Sequence, residues 1–125
     1  MRRFILAAAM VAGLASPALA QRQGSYAVAG QTPDGQRYTG TLQMVSAGAN
    51  TWRVTWNVAG DTATGLGLLI PEGPLLVVGY VAGRETGVVA YAVQPDGRLL
   101  GTWTQGAGGG VGSETLTPGG GSTGK

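Results

Sequence analysis

Cysteine and histidine are both missing from these 125 residues, phenylalanine occurs once, and only 11% of the chain is charged. Each absence removes a class of chemistry. Without cysteine there is no disulfide framework, the common support of a small exported domain, and no thiolate nucleophile. Without histidine as well, a transition-metal site lacks its commonest ligands and general-base catalysis lacks its commonest residue. Beyond the first 20 residues the one lysine is Lys125, so a serine or threonine nucleophile has no evident base. Paired-carboxylate hydrolysis would have to draw on six acids. Asp34, Asp61, Asp96, Glu72 and Glu85 lie in or beside turn motifs, where solvation and turn capping account for them. Glu114 alone reads as standing on a sheet face. The expectation is a protein that is not an enzyme, with no catalytic residue, no metal and no cofactor.

What is present begins with an export pattern. Arg2 and Arg3 precede an apolar run from Phe4 to Leu14, Ser16 and Pro17 break it, and Ala18-Leu19-Ala20 supplies small residues. This predicts a signal peptide over 1–20, cleaved after Ala20, and a periplasmic or secreted product. The run is shorter than the roughly 20 apolar residues a membrane-spanning helix needs. Arg2 and Arg3 leave with the signal. The remaining six bases, Arg22, Arg37, Arg53, Arg84, Arg98 and Lys125, then balance the six acids. The basic pI of about 9.4 thus belongs to the precursor. It gives no reason to expect a nucleic-acid partner or stable membrane insertion after processing.

After the signal, turn motifs recur every 11 to 14 residues: Pro33-Asp34-Gly35, Ala47 to Asn50, Ala59-Gly60-Asp61, Pro71 to Pro74, Ala82-Gly83-Arg84, Pro95-Asp96-Gly97 and Gly106 to Gly110. Seven turns separate eight short segments, the rhythm of hairpin-connected strands. The segments alternate as half-buried strands do: Trp52, Val54, Trp56 and Val58 share one face, and Gly87, Val89, Tyr91 and Val93 another. Glycines inside the strands at 40, 65, 67, 79, 87 and 101 predict tight coiling, with aromatics lying over some of them. The fold expected is all-β: an antiparallel meander forming an eight-stranded up-and-down barrel or near-barrel, with a two-sheet sandwich as the alternative. One domain spans 21–118, followed by a glycine-rich, disordered tail over 119–125. The strands read as too short, and their outer face as too polar, for an outer-membrane barrel.

An internal echo accompanies this pattern. Tyr26-Ala27-Val28, Pro33-Asp34-Gly35 and Gly40-Thr41 reappear as Tyr91-Ala92-Val93, Pro95-Asp96-Gly97 and Gly101-Thr102. Together with Tyr38, Trp52-x-Val54-x-Trp56, Leu100 to Thr104 and Glu114-Thr115-Leu116, the pattern resembles a family of small exported bacterial proteins. Most of its members have no assigned activity, and some carry the label fibronectin-binding protein. The resemblance implies the fold, and transfers no binding residue. Gly101-Thr102-Trp103 is also faintly similar to avidin-like barrels, over too short a stretch to imply biotin.

With catalysis set aside, the aromatics Trp52, Trp56, Trp103, Tyr26, Tyr38, Tyr80 and Tyr91 become the functional candidates, of which Trp52, Trp56, Trp103, Tyr38 and Tyr91 stand as the ligand-binding ones. Against this, Trp52 and Trp56 alternate with valines, as packed core residues do. The leading expectation is an exported β-domain that binds an extracellular or periplasmic macromolecule, with a fibronectin-like matrix protein implied by the family label. A small-ligand carrier using the barrel interior and an inhibitor of an envelope enzyme are the alternatives. The carrier demands a cavity lined by Trp or Tyr with a few polar groups.

Overall fold

In the computed structural model, which describes residues 23–119, the seven turns do separate eight strands. These are β1 (Gly24–Gln31), β2 (Arg37–Gly48), β3 (Thr51–Val58), β4 (Asp61–Ile70), β5 (Leu75–Ala82), β6 (Glu85–Val93), β7 (Leu99–Gln105) and β8 (Gly112–Pro118). Each pairs antiparallel with the next, and β8 returns to pair with β1, with Val28 opposite Leu116. The ring is a closed barrel rather than two facing sheets. Closure gives both terminal strands a partner and removes the edges that an open sheet would present. The predicted signal and most of the glycine-rich tail lie outside the described residues.

Both Pro-Asp-Gly turns close in the same way, which gives the sequence echo its structural content. In the β1–β2 turn the Gly35 N–H donates to the Thr32 carbonyl at 2.9 Å and the Thr32 N–H to the Gln36 carbonyl at 2.9 Å. In the β6–β7 turn the Gly97 N–H donates to Gln94 and the Gln94 N–H to Arg98, at 2.9 and 2.8 Å. Gly35 and Gly97 take φ of 91° and 93°, a region that side chains disfavour. Asp96 adds a cap, accepting from the Arg98 backbone N–H at 3.0 Å and pairing with its Nε at 2.8 Å. The Arg98 backbone and side chain hold this carboxyl below the usual range.

Side chains alternate between the interior and the outer face along every strand, and the interior is filled unevenly. Tyr26, Leu42, Met44, Leu76, Val78, Leu99 and Leu116 are fully or almost fully buried, with Trp52 and Leu69 beside them. Room for four further interior rings comes from glycines on adjacent strands. A Cβ on Gly30, Gly87, Gly101 or Gly112 would lie within 2.6 Å of the rings of Tyr38, Tyr80, Tyr91 and Trp103 respectively. In register, each of these rings stands directly opposite its glycine on the adjacent strand. The predicted aromatic cover is therefore a repeated cross-strand device. It fills the coiled interior without widening the ring.

Strand β4 runs against simple hydrophobicity. Leu66 and Leu68 point outward, 61% and 51% exposed, while Ala63, Gly65, Gly67 and Leu69 point in. The reason lies next door: Gly67 opposes Trp52, Gly65 opposes Val54 and Ala63 opposes Trp56, so the large β3 side chains need small neighbours. Strand lengths also correct an expectation. β2, β4 and β6 run to 12, 10 and 9 residues, because continuous pairing carries the ladders into the turns. The outer faces of β2 and β3 nonetheless carry Thr39, Thr41, Gln43, Arg53, Thr55 and Asn57.

Candidate functional site

The barrel has a filled end and an open end. At the open end, ringed by the β1–β2, β3–β4, β5–β6 and β7–β8 connections, the interior widens into a cup of about 660 Å³. Its walls are Tyr38 from β2, Trp56 and Val58 from β3, Ala63 from β4, Tyr80 from β5 and Trp103 from β7. These positions are in phase with the buried residues of their own strands, which is why ring after ring turns inward. Trp56 and Tyr80 stack at a tilt with centroids 5.1 Å apart, and Tyr38 meets Trp103 edge-on at 6.3 Å.

The floor of the cup is Glu114 on β8, 7% exposed and the one buried charged residue among those described. It is in phase with Gly112 and Leu116 and so is carried inward by the same alternation. Three donors from three strands converge on it. The Trp56 indole Nε1–H donates to Oε2 at 3.0 Å, the Tyr91 hydroxyl to the same oxygen at 2.5 Å, and the Tyr38 hydroxyl to Oε1 at 2.8 Å. No acceptor approaches among the described contacts. An array of donors suits the ionised, acceptor-only carboxylate and offsets part of its desolvation.

The tyrosines register the same field. Burial, and then the Glu114 charge, pushes the Tyr91 and Tyr38 hydroxyls well above the ordinary phenol value. Burial, Glu114 and Glu85 push Tyr80 up to about 12. At the mouth Tyr80 donates to Gln105 Oε1 at 3.1 Å, and the Gln105 amide donates to Glu85 at 3.1 Å. The Trp103 indole donates to the Ser113 carbonyl at 3.2 Å, which fixes its ring against β8.

Of the five candidates from the sequence, Trp56, Trp103 and Tyr38 line the cup, and Tyr91 braces its floor from beneath Glu114. Trp52 does not join them. It packs in the filled half, and its Nε1–H has no hydrogen-bond partner, the environment of a packing residue. Sequence reasoning names Tyr80 among the aromatics without counting it as a binding residue, and misses Glu114 as a member of the site. Both carry a signal in their phase: Tyr80 alternates with Leu76 and Val78, and Glu114 with Leu116.

Neither protein-family models nor curated proteins match this chain. Solved structures do match in fold. The redesigned β-barrel b11L5F_LGL superposes with a TM-score of 0.70 at 16% identity, over 80% of this chain and 93% of its own. The redesigned barrel mFAP1, whose structure is bound to DFHBI, gives 0.66 at 14% identity over 76% and 93%. Identities this low establish a shared architecture, an eight-stranded meander closed on itself, and nothing finer.

Proposed function

We propose that this protein is a small-ligand carrier that holds its cargo in the open end of the barrel. One observation carries the reading: an aromatic-walled cup of about 660 Å³ is built over a buried carboxylate braced by three donors. Ligand pockets have this character, mostly apolar surface with a few convergent polar groups in a volume of roughly 300–1,000 Å³. A purely structural carboxylate has no need of such a cup, and burying one carries a desolvation cost that an all-apolar floor with apolar neighbours would avoid. The redesigned barrel bound to DFHBI is a precedent for the architecture, and an eight-stranded ring has an interior just wide enough to hold one small ligand. The geometry favours a carrier over a macromolecular partner, whether matrix protein or envelope enzyme, because such a partner would meet loops and outer faces rather than a recessed floor.

The test is titration of the purified protein with an uncharged, polarity-sensitive dye such as Nile red. Saturable, one-to-one enhancement of emission is expected, with quenching of tryptophan fluorescence as Trp56 and Trp103 are covered. Ala63→Phe, which places a ring in the cup, should abolish the signal while leaving the circular dichroism spectrum intact. Absence of saturable binding of both Nile red and a cationic aryl probe by the unmodified protein, or undiminished binding by Ala63→Phe, would remove the carrier reading.

A further inference from the structure

The lining of the cup carries charge of one sign. Glu114 lies at the floor and Asp61 at the rim, and no arginine or lysine is among the lining residues. Arg84 follows the lining residue Gly83 in the β5–β6 turn, but it does not line the cup. Glu85, bonded to Gln105, adds a further carboxylate beside the mouth. Around these stand four aromatic rings, whose faces attract cations through their quadrupoles.

Acceptor arithmetic points the same way. A carboxylate offers about four acceptor positions. Trp56 and Tyr91 occupy Oε2, and Tyr38 takes one position on Oε1. One position on Oε1 has no donor among the described contacts, and Glu114 itself lines the cup. Charge then decides the class of donor that suits it. Among the described ion pairs none involves Glu114. A neutral occupant would strip water from a buried anion and leave it uncompensated, whereas a cation would offset it.

Building on the carrier reading, we propose that the cup selects flat organic cations that carry an N–H donor, of the aryl amidinium or arylalkylammonium class. The N–H donates to Glu114 Oε1, and the aryl group lies among Tyr38, Trp56, Tyr80 and Trp103.

Three near-isosteric probes isolate the charge: naphthamidine, naphthamide and naphthoate, cationic, neutral and anionic at neutral pH. Calorimetric titration of the purified protein should show naphthamidine binding about tenfold or more tighter than naphthamide, the range of a charge-assisted hydrogen bond, with naphthoate weakest. Glu114→Gln, which keeps an acceptor for Trp56 and Tyr91 but removes the charge, should bring naphthamidine and naphthamide within about threefold of each other. Equal binding of the three probes by the unmodified protein would overturn the charge selectivity and leave the carrier reading standing. Failure of all three together with Nile red would overturn both. The comparison within the unmodified protein decides the matter even if Glu114→Gln folds poorly.

Discussion

Glu114 is the residue on which the open half of the barrel depends. Its Oε2 accepts from both Trp56 Nε1 and Tyr91 Oη, in buried hydrogen bonds, and its Oε1 from Tyr38, so removing the carboxylate strands two buried donors at once and a third at the cup wall. Glu114→Leu should therefore cost about 2–4 kcal/mol of stability, and Tyr91→Phe only about 1–2 kcal/mol, since it removes the donor and leaves the acceptor with its other partners. Urea denaturation followed by tryptophan fluorescence would read both, and a smaller loss for Glu114→Leu than for Tyr91→Phe would contradict this bracing. A second residue points in the opposite direction. Ala59 sits in the two-residue β3–β4 turn at φ 54°, where Cβ is unwelcome and Asn-Gly is the favoured pair. Ala59→Asn should stabilise the protein by about 1 kcal/mol and raise its melting temperature by several degrees.

Strands and turns were the most legible elements, and the reasons are local. A Pro-Asp-Gly sequence has few conformations open to it, and the period-2 pattern of Thr51 to Val58 admits one ladder. The direction of a strand's faces was less legible where packing rather than hydrophobicity decides. Leu66 and Leu68 look like core residues, yet the indoles of β3 claim that space and leave room inside only for Ala63, Gly65 and Gly67. Glu114 stayed hidden as a site residue for a related reason. A lone acid between Ser113 and Thr115 reads only as standing on a sheet face until Tyr38, Trp56 and Tyr91 from distant strands are brought to it. The aromatic-over-glycine device makes a prediction at this scale. On β7 a Cβ at Gly101 would meet Tyr91 Cδ1 at 2.5 Å, whereas on β5 a Cβ at Gly79 would meet nothing within 4 Å. Gly101→Ala should cost about 1–3 kcal/mol by overpacking. Gly79→Ala should be neutral or stabilise by up to about 1 kcal/mol. Equal thermal shifts for the two variants would show that the rings do not depend on bare backbone.

As a whole the barrel should be sensitive to alkali. Tyr38, Tyr80 and Tyr91 all hold their protons more tightly in the fold than at the ordinary phenol value of 10.0. Above that value the folded state binds more protons than the unfolded chain, so stability falls as pH rises. The contribution is therefore complete below pH 10.0 and is lost progressively beyond it, with Tyr80 ionising at about 12. Urea midpoints measured across this range should decline, and phenolate absorbance should lag behind that of free tyrosine. Phenolate appearing at the free-tyrosine pH with the barrel still intact would refute the burial described here.

Closure by the last strand also has a temporal meaning. Glu114 arrives on β8, while the groups that brace it come from β2, β3 and β6. As the chain emerges, nothing upstream can assemble the cup, because the floor is delivered only when Val28 meets Leu116 across nearly the full length of the domain. Such long-range pairing is slow to form. Cargo of the kind proposed would consequently not template the early hairpins. It would reward only the finished ring, acting as a latch on a completed molecule rather than as a scaffold for a nascent one.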